Sequence, residues 1–198
     1  MSPSTAICHD GLSFEVWDGV YEPAEDSFML LEAALAGAPG PKAVLEIGTG
    51  CGLVAIMLAR TGCPLVVATD LAPQAIGCAK ANAKRLAPRV HFLASDMFSA
   101  VKGSFDLVVF NPPYLPVERG GSEDVAWAGG KTGRDLIDRF IAGATAHLRK
   151  GGSALLVQSS LDGLDRSQSM ATQAGLGFGV LDREDFFFES LYVVRLSR

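Results

Sequence analysis

The segment Asn111-Pro112-Pro113-Tyr114 places a side-chain amide, two prolines and an aromatic ring directly after an apolar run, Leu107–Phe110. The apolar run predicts a short buried strand. Because proline lacks a backbone N–H and has a fixed φ, neither proline can continue a sheet ladder, and the chain leaves the strand stiffly. The amide and the ring are therefore expected at the carboxyl end of the strand, where open α/β sheets bind ligands. A rigid strand exit without chemistry is the alternative interpretation.

A second strand-like run is followed by a glycine-rich turn with the pattern Glu46-x-Gly48-x-Gly50-x-Gly52. The strand, the turn and the apolar helix after it predict a nucleotide-binding unit. Dinucleotide sites use Gly-x-Gly-x-x-Gly, but Leu53 stands where that spacing requires its third glycine. The chain also lacks the Gly-x-x-x-x-Gly-Lys-[Ser/Thr] sequence of a phosphate-binding loop. The spacing therefore argues against both of these phosphate-binding sites.

Three acids, Glu46, Asp70 and Asp96, each stand at the carboxyl end of a predicted strand. Asp70 can accept two hydrogen bonds from ribose hydroxyls, and Asp96 is placed to accept one from an adenine amino group. Charge-assisted hydrogen bonds of this kind contribute roughly 1.5–3 kcal/mol each. Three carboxylates at one edge would repel a pyrophosphate but not a cationic cofactor without phosphate. Taken singly, each acid could also be a helix cap or a turn residue.

Strand-like and helix-like segments alternate along the chain, which predicts a parallel sheet with right-handed crossovers. The expected strands are Ala43–Ile47, Leu65–Ala68, Val90–Ala94, Leu107–Phe110, Ala154–Val157, Phe178–Leu181 and Leu191–Leu196. The last two are joined by too few residues for a crossover helix and predict an antiparallel hairpin. Residues 1–20 are compatible with a short strand or an extended arm. We expect one domain over residues 1–198, with an N-terminal arm and helix in 1–41 and a core in 42–198.

The composition is typical of a globular domain, with 48% hydrophobic and 20% charged residues. The net charge is −5, and residues 1–41 carry seven acids but no lysine or arginine. The basic face that nucleic-acid binding usually needs is therefore missing. The four cysteines and three histidines show no metal-ligand spacing, so no metal site is expected. No apolar run reaches membrane-spanning length and no signal-peptide pattern is present, so we expect a soluble cytoplasmic protein.

As a group, the glycine-rich turn, the acids and the Asn-Pro-Pro-Tyr segment resemble the motif set of class I S-adenosylmethionine-dependent methyltransferases. The resemblance covers residues 42–198 and implies an α/β, Rossmann-like fold with helices on both faces of a seven-stranded, mostly parallel sheet. The implied strand order is 3-2-1-4-5-7-6 with strand 7 antiparallel, which agrees with the terminal hairpin. The implied cofactor is S-adenosyl-L-methionine, with S-adenosyl-L-homocysteine as product. The implied cofactor-binding residues are Tyr21, Glu25, Ser27, Glu46, Gly48, Gly50, Asp70, Asp96, Met97 and Asn111.

The Asn-Pro-Pro-Tyr segment looks like the tetrad of methyltransferases that modify a planar nitrogen, either an exocyclic base amine or a side-chain amide. An amide nitrogen is a poor nucleophile because its lone pair is delocalised. The resemblance implies that Asn111 Oδ1 and the Pro112 carbonyl each accept one N–H, while Tyr114 stacks on the planar group. Positioning of this kind contributes up to about 7–11 kcal/mol. No strong general base is then required, since the proton can leave after the methyl group arrives.

Two further segments, 20–27 and 126–134, are similar to segments of HemK-type release-factor glutamine methyltransferases, especially the short archaeal and eukaryotic branch. The first strand is expected at Ala43, so the helical N-terminal domain of the longer bacterial enzymes is expected to be missing. The resemblance implies that Tyr21, Glu25 and Ser27 form a lid over the cofactor. The alternatives are a capped helix start for the first segment and a loop held by one buried indole for the second. The implied substrate-binding residues are Pro113, Tyr114, Trp127 and Gly129.

Enzymes of the short branch work with a small zinc-binding activator subunit that adds to the sheet edge at strand 3. The resemblance therefore implies a partner at Val90–Ala94, which is apolar on both sides for an edge strand. A strand packed between helices is the alternative interpretation of this pattern.

The favoured function is N5-methylation of the glutamine in the Gly-Gly-Gln motif of a peptide-chain release factor. An adenine-N6 or other nucleic-acid methyltransferase would use the same tetrad, but such enzymes usually add a target-recognition domain or a basic face. A non-catalytic cofactor-binding scaffold would not need the intact segment Asn111–Tyr114. Methylation of another protein side chain is a further alternative, although a flexible lysine ammonium does not need a planar clamp.

Overall fold

The computed structural model describes residues 3–37, 40–87, 89–113 and 134–198. Within these ranges, no helix is long and apolar enough to cross a membrane. The strands are β1 (Pro3–His9), β2 (Leu12–Trp17), β3 (Ala43–Ile47), β4 (Leu65–Asp70), β5 (Val90–Ala94), β6 (Phe105–Phe110), β7 (Leu148–Ser159), β8 (Gly177–Asp185) and β9 (Ser190–Ser197). The helices are α1 (Glu25–Leu35), α2 (Leu53–Arg60), α3 (Pro73–Leu86), α4 (Asp135–His147) and α5 (Leu164–Gln173), with a short 3₁₀ turn at Ser160–Asp162.

The main sheet has seven strands in the order β5-β4-β3-β6-β7-β9-β8. The strands β3 to β7 run parallel, and β9 is antiparallel to both of its neighbours. Counted from β3, this order is 3-2-1-4-5-7-6 with the last strand antiparallel, so the predicted topology is confirmed. The carboxyl ends of the parallel strands meet at one edge of the sheet, which we call the carboxyl edge.

Apolar cores cover both faces of the sheet, because successive side chains of a buried strand point to opposite faces. Every residue of β3 is buried. Val44 packs in the core under α1, α2 and α3, whereas Leu45 packs in the core under α4 and α5. The fully buried ring of Phe140 on α4 lies 5.1 Å from the ring of Phe110, the last residue of β6. This contact anchors the end of β6 against α4 and so fixes the direction of the chain at Asn111.

The N-terminal residues form an antiparallel hairpin, β1–β2, outside the main sheet. Its turn residues Asp10 and Gly11 have φ of 47° and 73°, as a two-residue hairpin turn requires. The hairpin packs on α3 through the fully buried Asn82. The Oδ1 of Asn82 accepts the Glu15 N–H at 2.9 Å, and Nδ2 donates to the carbonyls of Glu15 at 2.8 Å and Cys51 at 2.9 Å. Asn82 therefore joins the N-terminal arm to the loop after β3.

The strand β7 is longer than the sequence predicts. It begins at Leu148 and includes Gly151 and Gly152, whereas we expected a strand over Ala154–Val157 only. The backbone N–H of Gly151 donates to the Arg198 carbonyl at 3.0 Å, and the Arg198 N–H donates to the Gly152 carbonyl at 3.0 Å. The end of the chain thus pairs with the glycines and extends the strand.

Candidate active site

The carboxyl edge opens into a cavity of about 780 Å³ between the ends of four strands and the start of α1. Cofactor and substrate sites typically enclose about 300–1,000 Å³. The tetrad prolines Pro112 and Pro113 line the cavity. Predicted cofactor-binding residues from five separate parts of the chain line it too, namely Tyr21, Ser27, Glu46, Gly48, Gly50, Asp70, Asp96, Met97 and Asn111.

The loop after β3 depends on glycines with positive φ, which other residues rarely adopt. Gly48, Gly50 and Gly52 have φ of 67°, 54° and 90°. A Cβ on Gly52 would lie 3.0 Å from the Cβ of Ala79 on α3. Gly52 is therefore required both for its backbone conformation and for the close approach of the loop to α3, and it starts α2 beside the cavity.

Glu46 supports this loop from within. Its carboxylate is buried, and Oε2 accepts hydrogen bonds from Thr49 Oγ1 at 2.6 Å and from the Ala55 N–H at 3.1 Å. Burial raises the pKa of Glu46 from 4.5 to about 8, and the charge of Asp70 adds to this shift while the two hydrogen bonds oppose it. A cationic ligand in the cavity would favour the ionised form of the carboxyl. Glu46 thus stabilises the loop, and its protonation depends on the charge of the bound ligand.

Asp70 is the last residue of β4, and both of its carboxylate oxygens accept hydrogen bonds from backbone groups that line the cavity. Its Oδ2 accepts the Gly50 N–H at 2.9 Å, and its Oδ1 accepts the Ala72 N–H at 2.9 Å. Burial raises the pKa of Asp70, and these hydrogen bonds oppose that shift. Each oxygen still has a lone pair for a further donor. The carboxylate can therefore accept two vicinal hydroxyls, as the ribose prediction requires.

Asp96 lies beyond the end of β5 and pairs with a base that the sequence did not indicate. The Arg139 guanidinium on α4 donates to Asp96 Oδ1 at 2.8 Å, and both residues line the cavity. Since the side chains are about half exposed, this pair contributes little to stability and can rearrange around a ligand. The adjacent Met97 is buried, with φ of 50°, and its carbonyl accepts from Ser95 Oγ at 2.9 Å. An apolar surface beside a carboxylate suits a planar base with an amino group.

A chain of hydrogen bonds joins Asn111 to the start of α1. The Nδ2 of Asn111 donates to Ser27 Oγ at 3.3 Å, and Ser27 Oγ donates to Asp26 Oδ1 at 3.1 Å. Asp26 is only 2% exposed, and it also accepts from the Ser27 N–H at 2.5 Å and from the Tyr21 hydroxyl at 2.8 Å. The segment predicted to form a lid is therefore connected by side chains to the predicted catalytic amide.

The Oδ1 atom of Asn111 is buried and accepts no hydrogen bond within the part of the chain that the structure describes. A buried acceptor without a donor costs about 1–3 kcal/mol. Asn111 lines the cavity, and its Nδ2 is held by Ser27, which fixes the orientation of the amide. The arrangement can therefore receive one N–H from a ligand.

The described lining of the cavity is strongly acidic. It contains the acidic side chains of Asp26, Asp70, Asp96 and Asp135, the protonatable Glu46, and one guanidinium, Arg139. Such a field disfavours phosphate groups and favours cations. S-adenosylmethionine has a sulfonium, an ammonium, a carboxylate and no phosphate, so its net charge is positive, and the acceptors and the charge of the cavity fit it.

One predicted cofactor residue is not brought to the cavity. Glu25 is exposed and does not line it, whereas its neighbour Asp26 does. Asp26 shares the buried face of α1 with Met29 and Leu30. Asp26 stands three and four residues before Met29 and Leu30, so the same helical spacing that places them on the buried face would have indicated Asp26.

Three predicted site residues, Tyr114, Trp127 and Gly129, lie outside the described residues. Their roles in catalysis and substrate binding stay predictions.

The comparisons with known proteins agree on one family. Residues 26–174 match the model of the methyltransferase small domain. A relative from Methanocaldococcus jannaschii, named as a protein N5-glutamine methyltransferase, is 38% identical over 193 residues, which are 96% of this chain and 97% of the relative. The methyltransferase HEMK2 of Mus musculus is 42% identical over 151 residues, which are 70% of this chain and 71% of the relative.

Among solved structures, the chain is similar to one from the E. cuniculi Mtq2-Trm112 complex, which methylates the translation termination factor eRF1. The TM-score is 0.73 at 25% identity, covering 91% of this chain and 99% of that chain. S-adenosylmethionine is accordingly the expected cofactor. The chain belongs to the methyltransferase small domain family and, within it, to the HemK-type glutamine methyltransferases.

Proposed function

We propose that this enzyme transfers a methyl group from S-adenosylmethionine to the side-chain amide nitrogen of a glutamine in a peptide-chain release factor. The glutamine would be that of a Gly-Gly-Gln motif. The names of the M. jannaschii relative and of the E. cuniculi complex support the reaction and the substrate class. Release factors act on ribosomes, so we also propose that the enzyme works in the cytoplasm.

The observation that carries this proposal is Asn111, which lines the cavity and whose buried Oδ1 accepts no hydrogen bond from the described residues. A primary amide has two N–H donors on a planar nitrogen, and Oδ1 is an acceptor that can fix one of them. The Pro112 carbonyl follows in the chain and would accept the second. With both protons directed, the nitrogen faces the cavity in one orientation, which is how positioning lowers the barrier for a weak nucleophile.

The cavity residues divide the task of holding the cofactor. Asp70 would accept the ribose hydroxyls, and Asp96 with Met97 would hold the adenine. The glycine loop leaves room for the methionine part, near Glu46. When bound, the cofactor supplies an electrophilic methyl group on a sulfonium. The acidic lining stabilises the positive charge of the sulfonium before transfer. It stabilises the bound product less, because the thioether of the product has lost that charge.

We further propose a small partner subunit at β5, with the zinc-binding activator of the short branch as the expected kind. In support, the E. cuniculi protein forms a complex with Trm112. Within the described residues β5 pairs only with β4, so its outer edge is free to add a strand. Leu93 on this edge is 40% exposed, and in the neighbouring β4 the first residue, Leu65, is exposed, as is Leu71 directly after the strand. An apolar, unprotected edge of this kind usually requires a cover.

The proposed reaction is tested by transfer of labelled methyl from S-adenosylmethionine. The acceptors are a release factor carrying Gly-Gly-Gln, its Gln→Ala variant, and duplex DNA or RNA, each with and without a candidate activator. We expect label only on the intact motif. Asn111→Ala should lower kcat at least a hundredfold while binding the cofactor nearly as well, because the cavity acids remain (about 10²–10³ for loss of one positioned polar group).

Asn111→Asp is the matched control, since it keeps an acceptor at the same place and should retain more activity than Asn111→Ala. Label on nucleic acid alone would refute the proposed substrate. Equal labelling of the release factor and its Gln→Ala variant would refute glutamine as the acceptor.

A further inference from the structure

The turn between β8 and β9 exposes an unusual amount of aromatic surface. Phe187 and Phe188 are 92% and 86% exposed, and Phe186 is 40% exposed. The rings of Phe187 and Phe188 pack edge to face, with centroids 4.6 Å apart. We call Phe186–Phe188 the aromatic tip. Nearby, Leu161 in the 3₁₀ turn after β7 is 76% exposed. Large apolar side chains grouped in this way usually mark an interaction surface.

The aromatic tip is fixed to the body of the enzyme. The Phe186 N–H donates to the Glu189 carbonyl at 2.8 Å, which closes the turn. Ser159 Oγ, at the end of β7, donates to the Glu189 carboxylate. The Ser190 N–H donates to Ser160 Oγ at 3.1 Å. The tip is therefore held by side chains of the element next to β6, and a partner that binds it is held in a defined position relative to that strand.

The aromatic tip lies on the same side of the molecule as the catalytic amide. Strand β9 is two strands from β6, which corresponds to about 10 Å across the sheet. Strand β7 continues three residues beyond Leu156, the partner of Phe110, which adds about 10 Å along the strand. The tip thus stands on the order of 15–20 Å from Asn111. A protein interface of about 800 Å² per partner spans such a distance.

The charges around the aromatic tip limit its partner. Residues 182–189 contain four acids, Asp182, Glu184, Asp185 and Glu189, and one base, Arg183. That base is paired with Asp185 at 2.7 Å. The surface is therefore apolar with an acidic rim. It suits an apolar protein patch with basic residues around it, and it disfavours nucleic acid, an anionic membrane or a second copy of the same acidic surface.

We propose that the aromatic tip and Leu161 form a docking surface for the folded body of the protein substrate. The occupant is a protein that presents an apolar patch with a basic rim at a fixed distance from the reactive glutamine. This inference rests on the proposed function and adds a second recognition element to it. The cavity selects a planar amide, and the docking surface selects the fold that carries it.

The test uses the double variant Phe187→Ser/Phe188→Ser and the folded release factor. Both side chains are exposed, so the variant should keep the stability and the cofactor Kd of the wild type. We expect KM for the release factor to rise at least about tenfold, as for loss of interface anchors, with kcat within about twofold. Leu35→Ser is the matched control, because Leu35 is 37% exposed at the far end of α1 and should change nothing.

A second variant tests the acidic rim. Glu184→Gln should raise KM about threefold at low ionic strength, and this difference should disappear near 0.5 M salt, because rim charges act through screened attraction.

Unchanged KM in the double variant would overturn the docking surface while leaving the proposed reaction intact. No methyl transfer to the release factor by the wild type would overturn both. Binding of the wild type to phosphatidylserine vesicles that is lost in the double variant would assign the tip to a membrane instead. Loss of a wild-type dimer in the double variant, measured by sedimentation, would assign it to a second copy.

Discussion

Ser27→Ala is the most direct probe of how the active site is assembled. Ser27 is 6% exposed, and its Oγ accepts from Asn111 Nδ2 at 3.3 Å while donating to Asp26 Oδ1. Alanine removes this link without adding bulk and leaves Nδ2 without its acceptor. The Asn111 amide can then rotate about its last bond, which exchanges Oδ1 and Nδ2. A donor instead of an acceptor would then face the substrate N–H in most of the molecules.

The expected loss follows from the two hydrogen bonds. A long neutral bond contributes roughly 0.5–1.5 kcal/mol, and a buried donor left unpaired costs about 1–3 kcal/mol. In the variant, the catalytic orientation leaves Nδ2 buried and unpaired, so the flipped orientation is favoured and the catalytic one costs about 1.4–2.8 kcal/mol. This corresponds to a fall in kcat of about ten- to a hundredfold, since each 1.4 kcal/mol is a factor of ten. The Kd for S-adenosylmethionine should change less than threefold, because Asp70 and Asp96 are untouched.

The assay is steady-state methylation of the release factor together with calorimetric cofactor binding. Ser167→Ala is the control: Ser167 is also a buried serine, donating to Gln158 Oε1 at 2.6 Å, and it does not line the cavity. It should lower stability by about 1 kcal/mol and leave kcat unchanged. A Ser27→Ala enzyme with kcat within twofold of wild type would refute the idea that Ser27 orients Asn111.

Three further predictions concern the supports of the cavity. Because burial raises the pKa of Glu46 to about 8, the folded chain keeps a proton that the unfolded chain releases near its ordinary pKa. The Tm of the cofactor-free enzyme should therefore fall as the pH rises from about 5 to about 8, and Glu46→Gln should flatten that part of the Tm curve; equal slopes would contradict the assignment. Gly52→Ala should destabilise by roughly 1–3 kcal/mol in urea unfolding, because φ is 90° and the added Cβ meets Ala79 at 3.0 Å; unchanged stability would disprove the steric reasoning. Asn82→Ala should lower the free energy of unfolding by roughly 2–4 kcal/mol and make residues 3–17 more susceptible to native-state proteolysis. Asn82→Asp should have a smaller effect on both.

Much of the fold could be predicted because its strands are continuous apolar runs that end in distinctive residues. The run before Asn111 and the acids at the carboxyl ends of the first three strands of the parallel sheet indicate both the sheet and its functional edge. The extension of β7 through Gly151 and Gly152 could not be predicted in the same way. Its cause is backbone pairing with Arg198, a long-range contact that leaves no local pattern in the sequence.

The lining of the cavity was predictable where local position alone places a residue at the end of a strand. Gly48, Gly50, Asp70 and Asp96 follow strands directly, so their placement at the cavity needed no knowledge of packing. Which acid of α1 faces the cavity depends on the rotation of that helix against the sheet, and here Asp26 was missed in favour of Glu25. Arg139 reaches the cavity from the middle of α4, where a basic residue is usually solvated.

The hydrogen bonds that complete the site connect parts of the chain that are far apart in sequence. Asn111 and Ser27 are separated by 84 residues, and Asn82 and Glu15 by 67. Contacts of such long range close late in folding, because the loop entropy must be lost before they form. The geometry of the candidate active site is thus a property of the completely folded chain. We expect methylation to be lost at a lower urea concentration than helical circular dichroism, since local opening of α1 releases Asn111 before the sheet unfolds.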